Sequence, residues 1–144
     1  MDDFLKVNLS HNNFYIHYWF LFTWPWGDKI LTLEDKYVFH IPLYTHNDEG
    51  LIEIDIDELL DELINNLNDN GYHSFYMIKA KGFYKSRCFD ELLITIFASE
   101  EDSQLKPHLI FKKWFDDNND ILNQESMAYE YNNRLHIEKL KIKN

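Results

Sequence analysis

Apolar and polar positions change their period several times along the chain, and each change marks an element. Leu5, Val7 and Leu9 alternate with Lys6 and Asn8, the two-residue period of a strand over residues 4–9. Ser10–Asn13 is a polar turn of hairpin length. From Phe14 to Trp24 both alternating sets are largely apolar, which predicts a long central strand covered on both sides. Trp24-Pro25-Trp26-Gly27-Asp28 ends it, because proline cannot donate to the ladder and Gly-Asp favours a turn. A short strand is expected at 29–33, a tight turn at Glu34-Asp35, and a strand at 36–44 whose Pro42 places its end at a sheet edge. Residues 46–50 read as a loop and 51–54 as a last extended piece.

The period then becomes helical. Ile56, Leu59, Leu60, Leu63, Ile64 and Leu67 form one apolar stripe, opposed by Asp57, Glu58, Asp61, Glu62 and Asn65. Asp55 is the expected N-cap, with Glu58 three residues on as in a capping box, and Asn70-Gly71 the expected stop. Beyond it the pattern gives a strand at 74–82, a basic irregular stretch at 83–89, a strong strand at 91–99 and an acidic turn at 100–103. Residues 108–115 read as a strand, although a short helix also fits. Residues 116–120 read as a polar loop, 121–131 fit helix and strand equally, and 134–142 form a final strand. Together these predict one α+β domain over residues 1–144, a mostly antiparallel twisted sheet with one principal amphipathic helix packed on it.

Composition agrees with a packed domain. A chain of 144 residues, 45% apolar and 17% aromatic, can bury a core without staples, and four glycines and three prolines leave no room for low-complexity linkers. Cys88 is the single cysteine, so no internal disulfide forms, which is compatible with a reducing compartment. Met1-Asp2-Asp3 lacks the cationic start of a signal peptide, and Phe14–Trp26 falls short of the about 20 apolar residues of a membrane helix. A cytoplasmic location without membrane association is expected.

Familiar chemistry is absent. The seven histidines include no His-x-x-x-His pair on a secure helix and no HExxH, and one cysteine excludes a zinc ribbon. Asp55-Ile56-Asp57 and Asp116–Asp120 lack the ligand order and glycine of a calcium loop. No phosphate-binding glycine loop and no GxSxG elbow occur. The expectation is no metal, no cofactor and no enzymatic activity. A small enzyme using Cys88, whose neighbours Lys85 and Arg87 favour a thiolate, or a carboxylate pair, is the alternative. Lys79, Lys81, Lys85 and Arg87 with Phe83 and Tyr84 have the makings of a base-stacking surface, but they sit in a chain of net charge −11 that phosphate backbones repel, so no direct nucleic-acid binding is expected.

Charge is unevenly placed. Between Glu34 and Asp69 eleven carboxylates face one base, Lys36. Such a run is either a solvated face that keeps the chain soluble or a docking surface for a basic protein. On the second reading Asp48, Glu49, Asp57, Glu58, Asp61 and Glu62 contact the partner, with Trp26, Trp24 or Tyr44 as aromatic anchors. The profile, small, acidic and without catalytic motifs, resembles the immunity proteins of bacterial toxin systems, such as those paired with contact-dependent inhibition toxins and colicins. The resemblance is one of general character, so it transfers no residue role. It implies a non-catalytic inhibitor that neutralises a cognate toxin, a nuclease domain, by masking a basic surface. A phage- or plasmid-encoded inhibitor that mimics nucleic-acid charge is the alternative within the binding class.

Overall fold

Tyr37, Phe39 and Ile41 are buried while Lys36, Val38 and His40 are not, the alternation of a strand with one covered face, here β3 (Asp35–Pro42). The structure is a computed structural model. It describes the backbone of residues 2–9, 14–21, 32–99 and 105–141, and the side chains of residues 32–99 and 105–141. Around β3 lie β1 (Asp2–Leu9), β2 (Phe14–Leu21), β6 (Phe75–Tyr84), β7 (Arg87–Ala98), β8 (Ser126–Tyr131) and β9 (Arg134–Lys139), in the order β1-β2-β6-β7-β3-β8-β9. All pairings among the described residues are antiparallel. A separate hairpin, β4 (Tyr44–Asn47) and β5 (Gly50–Glu53), leads into helix α1 (Asp57–Asp69). A second helix, α2 (Pro107–Leu122), joins β7 to β8.

The run β3-α1-β6-β7-α2-β8 is a split βαβ arrangement, ferredoxin-like in order, with β7 inserted between β3 and β6. The β1–β2 hairpin extends one side and β9 the other. Crossovers between parallel strands of one sheet share a hand, so α1 and α2 fall on the same face. Leu63 and Leu67 of α1 and Ile110, Phe111, Trp114, Phe115 and Leu122 of α2 close over Phe39, Ile41, Phe75, Met77, Ile94 and Ile96. Phe39 and Phe111 stack at 3.5 Å between ring centroids. Burying each such side chain contributes about 1.5–3 kcal/mol.

The α+β class and the antiparallel sheet agree with the sequence reading, but the single principal helix does not. Residues 108–115 form the first half of α2, and the expected polar loop at 116–120 lies within the same helix. Ile110, Phe111, Trp114 and Phe115 recur at helical spacing, Pro107 occupies the first turn where its missing N–H is not needed, and Asn123 in the left-handed conformation (φ 50°) ends the helix. The doubtful stretch 121–131 divides accordingly between the end of α2 and β8.

Three smaller expectations are corrected as well. Ile56, not Asp55, is the N-cap of α1, and no side-chain capping bond forms, so the capping box is absent. The expected stop is present: Gly71 (φ 87°) turns the chain, its N–H donating to Asn68 and that of Tyr72 to Leu67. Asp35 starts β3 instead of sitting in a turn, and β3 has neighbours on both sides. Pro42 is accommodated because the β8 ladder has already ended at His40. The strand beginning at Phe14 is interior, but the middle of the sheet is β7. The supposedly irregular 83–89 stretch is the tip of the β6–β7 hairpin, turning at Lys85 and Ser86 with φ of 47° and 63°. Residues 22–31, which include the expected strand at 29–31, lie outside the described residues.

Candidate functional site

Four of the six expected contact acids are on α1. Asp57 and Glu58 occupy its first turn, where the helix dipole favours a negative charge, and Asp61 and Glu62 follow one turn later. Asp48 and Glu49 form the turn of the β4–β5 hairpin, where the Glu49 N–H donates to Asn47 Oδ1 at 2.8 Å. All six are exposed. The structure therefore places them in two patches on consecutive elements. Trp24 and Trp26 lie outside the described residues. Tyr44 is half-buried and lines the cleft below.

None of the six acids forms an ion pair among the described residues, whereas surface carboxylates elsewhere do. Asp90 holds Lys81 at 2.9 Å, and Asp117 holds Lys113 at 2.6 Å. Lys113 feels the charge of Glu62 from α1 but bonds to its own helix neighbour. The acidic face of α1 is thus left unneutralised by the fold.

Beside it opens a cleft of about 550 Å³, where β3 ends, β6 ends and α1 begins. Glu53, Asp55 and Asp57 line one wall and Lys79, Lys81 and Asp90 the other, over a floor of Met77 and Leu92. The uncapped first turn of α1 meets this cleft, but its own acids occupy the mouth. Sequence reading missed the cleft because it depends on β6 lying beside β7 and not beside β3.

The remaining candidates are distributed elsewhere. Cys88 is exposed on the β6–β7 hairpin, opposite Phe83 in register. Around it Phe83 is 77% and Tyr84 63% exposed, with Lys85 Nζ 5.4 Å from the Tyr84 ring centroid. On the sheet face away from the helices, His40 stands between Glu91 and Glu130. No group of three or more metal-ligating side chains with suitable placement occurs among the described residues. No helix among them is long and apolar enough to cross a membrane.

No family model matches the chain, and no curated protein matches it. The chain is similar in shape to a solved structure titled "phage SAM lyase in apo state". Identity is 12%, the TM-score is 0.48, and the match covers 81% of this chain and 100% of that one. A likeness at this level transfers no residue, ligand or activity. It does correct the expectation of no enzymatic activity, because the matched structure is that of an enzyme. Missing catalytic motifs therefore do not count against catalysis here.

Proposed function

We propose that the chain binds a basic protein through the acidic face of α1 and the β4–β5 turn, in the manner of an immunity protein neutralising a toxin nuclease. The observation that carries this reading is the contrast in pairing: Asp48, Glu49, Asp57, Glu58, Asp61 and Glu62 are exposed and without ion pairs among the described residues, while Asp90 and Asp117 are neutralised. The α1 acids also repel one another. Asp57/Asp61 and Glu58/Glu62 stand at i, i+4, an arrangement that costs an isolated helix about 0.2–0.5 kcal/mol per pair. A basic partner relieves that repulsion on binding and is steered to the face over distances of a Debye length. Tyr44 at the edge of the adjoining cleft supplies an aromatic contact, and Trp26 is the further anchor of this proposal.

Co-expression tests the role. The product of the neighbouring gene is expressed with and without this chain, and growth and nuclease activity are measured. Neutralisation by the chain is the expected result. With the purified complex, Asp61→Lys/Glu62→Lys should slow association about tenfold at low salt and flatten its salt dependence. Unchanged kinetics at every salt concentration would remove the acidic face from the interface and direct attention to the exposed Phe83 and Tyr84 of the β6–β7 hairpin.

A further inference from the structure

At the other end of the sheet, where β3 begins and the β8–β9 hairpin turns, the first turn of α2 covers a cavity of about 430 Å³. We infer that this cavity binds a small organic cation carrying N-methyl groups, a quaternary or methylated ammonium, over the rings of Tyr37, Tyr129 and Tyr131 and against the carboxylate of Asp35. This site is separate from the acidic face of α1, so its fate does not depend on the toxin-binding proposal.

The wall chemistry selects the ligand class. Five aromatic rings line the cavity, those of Tyr37, His108, Tyr129, Tyr131 and His136, and no aliphatic side chain does. A site for a neutral apolar ligand draws mainly on aliphatic walls together with aromatic ones, whereas ring faces with their negative quadrupole attract a cation. The rings form a continuous surface. Tyr37 and Tyr131 have centroids 4.7 Å apart, Tyr129 and His136 5.0 Å, and His108 lies 6.2 Å from Tyr37 and 5.8 Å from Tyr129.

The charge balance has the matching sign. Asp35 is 8% exposed and has no ion-pair partner among the described residues. Its Oδ1 accepts from the Tyr131 hydroxyl at 3.0 Å and from Asn132 Nδ2 at 3.3 Å, both neutral donors. Donation to a carboxylate also enriches the Tyr131 ring in electron density. The Tyr129 hydroxyl donates to Glu138 at 3.4 Å, which places a second negative charge behind the rings. Burial keeps the groups around the cavity uncharged: it raises Tyr37 to about 12 and lowers His108 below the usual imidazole range. The opposing cation is Lys106, exposed at the rim.

Methylation follows from the hydrogen-bond count. A primary ammonium brings three N–H donors that need acceptors, and here Asp35 is already engaged by Tyr131 and Asn132. A quaternary ammonium brings none. It asks only for ring faces and a nearby negative charge.

The test titrates the full-length protein with choline and with its neutral isostere 3,3-dimethylbutan-1-ol, followed by calorimetry and by the shifts of the tyrosine ring protons. Choline should saturate the site and bind about tenfold or more tightly than the isostere. Asp35→Asn should remove that preference, Tyr129→Leu should weaken choline about tenfold, and Lys106→Ala should strengthen it. Thermal melts identify any variant that has lost its fold, and His108→Gln, on the surface turn of α2, serves where Tyr129→Leu fails. Equal binding of choline and the isostere, no saturation by choline up to about 20 mM, or an Asp35→Asn protein that still prefers choline would each overturn the inference.

Discussion

The imidazole Nε2 of His40 lies 2.8 Å from Glu130 Oε2, and on the other side of the ring Nδ1 lies 3.2 Å from both oxygens of Glu91. The three residues come from adjacent strands, β3, β7 and β8, in diagonal positions of the antiparallel ladder, within reach of one another on the face away from the helices. The Glu91 hydrogen bond, aided by Glu130, holds His40 above the usual imidazole range against the opposing effect of burial. A folded-state value above the unfolded value means that the native state takes up a proton. The stabilisation is complete below about pH 6.5 and fades as pH rises through the folded value. Urea unfolding of the wild-type chain should therefore show stability falling from about pH 6.5 upward, and His40→Gln should lose that slope. A flat wild-type profile over this range would show that the two glutamates do not hold the proton.

Leu63 is fully buried under α1 and stands at the centre of the apolar stripe that seats this helix on the sheet. Leu63→Ala should cost about 2–5 kcal/mol, measured by denaturant melts. A loss within about 0.5 kcal/mol of zero would mean that the stripe is not packed.

Trp114, 1% exposed, ties the two helices together by donating its indole N–H to the Leu59 carbonyl at 2.8 Å. Its ring meets Phe115 edge-on at 5.1 Å. Trp114→Phe keeps an aromatic filler but removes the donor and part of the ring, with an expected cost of about 1–3 kcal/mol. The midpoint of urea unfolding should fall while its slope stays the same, because the area exposed on unfolding hardly changes.

Tyr37 is 6% exposed, and burial, with the neighbouring Tyr131 and Asp35, raises its phenol to about 12. A spectrophotometric titration should show one tyrosine ionising about two units later than exposed ones. The native state then holds a proton that the unfolded chain releases near pH 10, so this stabilisation is lost as pH rises from about 10 through 12. Tyr37→Phe should remove the late step from the titration.

What the sequence determined by itself was local. The stripe of α1, its Asn70-Gly71 stop and the alternation of β3, β6 and β7 depend on neighbours within a few residues, and each carries its own period. The acidic run was legible for the same reason, since charges three and four apart on a helix share a face. The helix at Pro107–Leu122 was not read because its apolar positions come in adjacent pairs, Ile110-Phe111 and Trp114-Phe115, which also fit a buried strand; packing against Phe39 and α1 decides between them. Tertiary structure alone brought Asp35, Tyr37, His108, Tyr129, Tyr131 and His136 into one cavity and set His40 between Glu91 and Glu130. These groups lie about a hundred residues apart at the extremes. They meet only because the split βαβ order inserts β7 beside β3 and returns β8 to its other side, a choice made by burying both helices on one face and invisible to any local period.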